Sequence, residues 1–127
     1  MNALVATVGG AFVVDLDTDD VEPWDGEVVQ AAAPTLNLPR VVSAASSGST
    51  VVAVVDAKPP LLVSHDAGVT WRESGRGLPA GRAVAVAEDD PDLFVYAARN
   101  RLYVSRNGGV FWTALAVELP EIERVAL

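Results

Sequence analysis

The stretch SHDAGVTW, residues 64–71, returns 41 positions later as SRNGGVFW, residues 105–112. A phrase used twice in a chain of only 127 residues is a repeat, and repeats bear on architecture before any single residue does. The match extends outward at the same offset: Leu61 lies over Leu102, Leu78-Pro79 over Leu119-Pro120, and Val84-Ala85 over Val125-Ala126. A weaker copy lies upstream. There Leu38-Pro39 precedes Leu78-Pro79 by 40 residues, Phe12-Val13 can be laid on Tyr103-Val104, and Trp24 stands in the place of Trp71 and Trp112. The period is about 41 residues, giving repeats over approximately 3–38, 41–79 and 82–120, with 122–127 left over.

Each repeat reads as short strands split by turn residues. The second offers Val41–Ala45, Val51–Val55, Leu61–Ser64 and Trp71–Ser74, separated by SSGST, DAKPP and HDAG. The third offers Arg82–Ala87, Leu93–Ala97, Leu102–Ser105 and Phe111–Leu115, separated by EDDPD, ARNR and RNGG. No segment sustains a helical period; QAAAPTLNL comes nearest, and Pro34 interrupts it. Four strands in about forty residues make the blade of a β-propeller. The fold class expected is all-β, with three four-stranded blades. Residues 25–37 are longer than their counterparts, and the sequence leaves their structure open.

At this point the chain resembles a known family. Ser64, Asp66, Gly68, Thr70 and Trp71 match Ser-x-Asp-x-Gly-x-Thr-Trp, the Asp box or BNR repeat of sialidases, sortilin-type receptors and photosystem II assembly-factor-like propellers. The later copy keeps Ser105, Gly109 and Trp112, with Asn107 for Asp and Phe111 for Thr. The resemblance implies a turn between the third and fourth strands of a blade, on the face away from the ligand site. There the acidic residue is structural. Its side chain accepts turn amides, Gly supplies a conformation that a side chain would penalise, and Trp buries its ring between sheets.

The ends of the pattern bear on assembly. Ala3–Val8 aligns with a second strand and has no inner strand before it, whereas EIERVAL aligns with the inner strand GRAVAVA and has nothing after it. Residues 122–127 therefore read as the missing inner strand of the first blade. Three blades are too few for a ring. The expectation is that Ile122–Leu127 of each chain pairs with Ala3–Val8 of a partner, so that a homodimer closes a six-bladed propeller with two-fold symmetry and no open edges.

Composition narrows the function classes. With no cysteine, disulfides and thiolate metal sites are excluded. A net charge of -8 argues against nucleic acid. No apolar run reaches the length of a membrane span and no basic leader opens the chain, so a cytoplasmic protein is expected. Of the constellations that could carry chemistry, Asp15, Asp17 and Asp19 have the D-x-D-x-D spacing that begins a calcium loop. Asp20 replaces the required Gly and Gly26 the required Glu, so the reading is a turn with no metal and no cofactor. Arg82, Arg99 and Arg101 fall in loops sharing the face of a propeller's central mouth, where guanidiniums could clamp a carboxylate. Solvated or ion-paired arginines are the blander reading. Tyr96 and Tyr103 sit inside strands, which denies the tyrosine nucleophile of sialidase-like chemistry. His65, the only histidine, is an exposed turn residue, and EDDPD (88–92) a solvated turn. The expected function is a non-catalytic, self-associating binding scaffold for protein partners. The alternative is a glycan-binding or glycosidase-like propeller whose mouth uses Arg82, Arg99 and Arg101.

Overall fold

The computed structural model describes all 127 residues, which form twelve strands and no helix. Blade I contains β1 (Asn2–Thr7), β2 (Gly10–Asp15) and β3 (Val21–Pro23). Blade II contains β4 (Val41–Ser47), β5 (Thr50–Val55), β6 (Leu61–Ser64) and β7 (Arg72–Ser74). Blade III contains β8 (Ala83–Val86), β9 (Phe94–Ala97), β10 (Leu102–Ser105) and β11 (Thr113–Ala114), and β12 (Ile122–Ala126) ends the chain. The sheet orders are β12-β1-β2-β3, β4-β5-β6-β7 and β8-β9-β10-β11, every neighbouring pair antiparallel.

Strand chemistry explains the packing. β5 is TVVAVV, β-branched at five of its six positions and buried along its whole length. On one face, Val52 and Val54 join Ala45, Leu61 and Val63, which pack on Val84, Phe94 and Tyr96 of blade III. The opposite face of blade III, with Ala85, Val95, Ala97, Leu102 and Val104, packs on Ala3, Val5, Val14, Ile122 and Val125 of blade I. Because successive side chains alternate between faces, one sheet feeds two cores. Blade III is thus the middle of the stack, with β8 touching both β4 and β12.

The pairing expected between two chains is made within one. Leu4 stands opposite Ala126 and Val5 opposite Val125, so β12 closes the chain's own blade I. The physical reason lies in the segment the sequence left open. Residues 24–40 contain no strand, and a segment of that length can reach about 55 Å. That suffices to return from the outer strand of blade I to the inner strand of blade II. On the way it lies along β12: Val28 is buried, its carbonyl accepts from Arg124 Nε at 3.4 Å, and Gln30 Nε2 donates to Ser43 Oγ of β4 at 3.4 Å.

Trp24 does not occupy the place of the other two tryptophans. Trp71 and Trp112 immediately precede their outer strands, but Trp24 follows β3, is 40% exposed, and donates to its own segment at Glu27 O. The extra residues of the DLDTDD turn displace the tryptophan from the position its spacing suggested.

Candidate functional site

The two repeated turns are held by their own side-chain hydrogen bonds. Ser64 Oγ, nearly fully buried, donates to Asp66 Oδ1 at 2.7 Å and accepts the amide of Gly68 at 2.8 Å. Asp66 Oδ1 also accepts the Thr70 amide at 2.8 Å, and its Oδ2 accepts the Thr70 hydroxyl. In the later copy Ser105 Oγ accepts the Gly109 amide at 2.8 Å, and Asn107 Oδ1 accepts the Ser105 hydroxyl and the Phe111 amide, each at 3.0 Å. Both turns need a left-handed backbone, with φ of 88° at Gly68 and at Gly109. A Cβ on Gly109 would stand 2.9 Å from Ser74 Oγ, so this glycine also permits the blade contact. Ala67 takes φ of 59° without being glycine; its counterpart in the later copy is Gly108.

The electrostatics of Asp66 follow from these bonds. The Thr70 hydroxyl, then the Thr70 amide and the Ser64 hydroxyl, hold its carboxyl down to about 2. A depressed carboxyl contributes stability above its unfolded value and loses it as pH falls through the folded one. Asp66→Asn should therefore preserve the amide contact, as Asn107 does naturally, while removing that acid dependence. Melting curves at pH 7, 4 and 2 check this: wild type should lose more of its stability than the variant between pH 4 and 2.

The three aspartates of DLDTD do not converge. Asp15 Oδ1 accepts the amides of Asp17 and Thr18, and the first of these leads in holding its carboxyl below the usual range. Asp17 pairs with Arg106 at 2.8 Å and with the N-terminal ammonium at 3.3 Å, and Asp19 accepts the Ala116 amide. No cluster of three or more metal-ligating side chains exists. The arginines are likewise engaged internally. Arg82 and Arg99 meet on Glu121, at 3.4 and 3.2 Å, whereas Arg101 pairs apart with Glu118 at 2.8 Å. His65 is exposed, with Nδ1 3.3 Å from Thr50 Oγ1. Tyr96 is buried, donating to Pro79 O at 2.6 Å, which fits packing and not nucleophilic chemistry.

One concavity was not legible from motifs. It is a cleft of about 560 Å³ at the axis, lined by all three inner strands and the return segment. Ala45 and Ser46 come from β4, Val84 and Ala85 from β8, Val125 from β12, and Val29 from the return segment. Glu88 is its only ionisable side chain.

No family model and no curated protein matches this chain. Solved structures do. YCF48 bound to D1 peptide superposes with a TM-score of 0.53 at 20% identity, over 95% of this chain and 39% of that one. YCF48 from Cyanidioschyzon merolae gives 0.52 at 24% identity, over 93% and 34%. The GH74 enzyme of Niastella koreensis gives 0.51 at 20%, over 93% and 18%. These neighbours are β-propellers, and likeness at such identities defines the fold: an all-β stack of propeller blades. The chain spans well under half the length of each neighbour. No helix is long and apolar enough to cross a membrane.

Proposed function

We propose that the chain is a non-catalytic binding scaffold whose blades, two of them carrying a turn that we read as an Asp box, present the axial cleft to a polypeptide partner. The observation that carries this reading is the lining of the cleft, in which 9 of 14 residues are hydrophobic and Glu88 is the one ionisable side chain. Glycoside hydrolysis ordinarily needs two carboxyl side chains facing the scissile bond, and Glu88 is the only carboxyl side chain in the cleft lining. Concave apolar surface with a few polar groups is the usual form of a recognition site. That a propeller of like fold has been solved with a bound peptide supports a polypeptide as the ligand class.

The test uses a displayed peptide library selected on the wild-type chain and rescreened on Ser46→Trp. Ser46 is exposed and lines the cleft, so an indole there fills it without entering the core. Selected peptides should bind the variant at least about tenfold more weakly, the loss of one central contact. Undiminished binding by Ser46→Trp, or release of reducing ends from a polysaccharide panel, would overturn the proposal.

A further inference from the structure

The two joints between blades differ at equivalent positions of the repeat. Between blades II and III, Arg72 Nη2 donates to Gly108 O at 2.7 Å and the Ser74 hydroxyl donates to Gly109 O, sealing the outer rim. One period later the same positions are Thr113 and Leu115, neither of which makes a side-chain bond to the facing turn of blade I. The joint between blades III and I therefore keeps a cleft of about 370 Å³. Its floor is apolar: Leu16, Val104 and Leu115, all buried in the core beneath. Phe111 stands at its rim, 74% exposed, beside Val110 at 54%.

Phe111 has no structural task that explains it. At its position in the earlier copy Thr70 binds Asp66 through its hydroxyl, whereas Phe111 contributes only its backbone amide to Asn107. An aromatic ring left in water beside an apolar floor is characteristic of a contact surface. The charge on the cleft walls selects the partner. Asp17 is ion-paired with Arg106 and with the N-terminal ammonium yet remains 58% exposed, and Asp19 accepts only the Ala116 amide. The same turn carries Asp15 and Asp20, and the chain as a whole is at -8. Such walls attract cationic side chains and repel acidic ones.

We propose that this rim cleft binds a protein segment in which a large apolar side chain neighbours a lysine or arginine. The apolar group lies between Phe111 and the floor, with the cation toward Asp17 and Asp19. The site is separate from the axial cleft and does not depend on the function assigned there.

Amide NMR spectra of the full chain, titrated with two blocked hexapeptides, test it. Both carry leucine and tryptophan; one adds two lysines and the other two glutamates. The lysine peptide should shift the amides of residues 17–19 and 111–115, and the glutamate peptide should not. Phe111→Thr restores the residue of the earlier turn, and Asp19→Asn keeps the acceptor for Ala116 while removing charge. Each should retain the native spectrum and weaken the lysine peptide, Phe111→Thr by about tenfold or more. The proposal is overturned by equal response to both peptides, by shifts confined to the axial cleft, by no shift at millimolar peptide, or by undiminished affinity in a folded variant.

Discussion

Truncating Tyr96 to alanine is expected to remove about 3–5 kcal/mol of stability, the range for deleting a buried aromatic side chain. That is a large share of the roughly 5–15 kcal/mol a domain usually has. Tyr96 lies in β9 at the joint of blades II and III, fully buried. Its ring stands 6.1 Å from Tyr103 and 6.0 Å, edge-on, from Trp112. It also fills the space above Gly81, where an added Cβ would come within 2.1 Å of it. Tyr96→Phe isolates the hydroxyl, whose bond to the carbonyl of exposed Pro79 can be replaced by water, at a cost of about 0.5–1.5 kcal/mol. Urea unfolding of both variants gives the comparison. A loss below about 1 kcal/mol in Tyr96→Ala would show that the joint is not held there. Burial, and secondarily Tyr103, push the Tyr96 hydroxyl above its ordinary range. A raised pKa means the folded state holds its proton more tightly. This stability is complete below about pH 10 and is lost as pH rises toward the folded value, so alkaline unfolding of wild type should begin above pH 10.

The second large effect is expected from removing residues 122–127. β12 brings Ile122 and Val125 into the larger core, both fully buried, at about 1.5–3 kcal/mol for each side chain. Its loss also leaves β1 as an open edge, with Ala3, Val5 and Val14 uncovered on one side. The truncated chain should melt without a cooperative transition or at a much lower temperature, while blade II, remote from β12, keeps the slowest-exchanging amides. Circular dichroism with hydrogen exchange reads both. An unchanged melting temperature would contradict the assignment of β12 as an inner strand.

The parts of this fold legible in the sequence were those with local chemistry. Leu61–Ser64 and Leu102–Ser105 emerge as strands because each ends in a turn whose serine, carboxyl or amide group, and glycine act within five residues of one another. The inner-strand identity of 122–126 was visible from its likeness to 83–86, but which chain it completes depends on a return path with no repeat signal. Trp24 misled because spacing alone cannot register a lengthened turn. The convergence of Arg82 and Arg99 on Glu121 was half legible: the loops were placed together, and the carboxylate that occupies them was not foreseen. Both clefts escaped notice because they arise between blades. The rim cleft exists because Thr113 and Leu115 stand where Arg72 and Ser74 stand one period earlier, a difference whose meaning appears only once the facing turn is in view.

The central claim is that three blades close within one chain, β12 pairing with its own β1. Leu4→Cys/Ala126→Cys tests it directly. The two residues are partners across the antiparallel pair and both are half-buried. Opposed Cα atoms in such a pair lie about 4.5–5.5 Å apart, within disulfide range. The chain has no other cysteine to confuse the outcome. After mild oxidation, closure within one chain gives a 13.3 kDa monomer with no free thiol on a non-reducing gel. A disulfide-linked dimer, formed quantitatively at low concentration, would show instead that the strand is exchanged between chains.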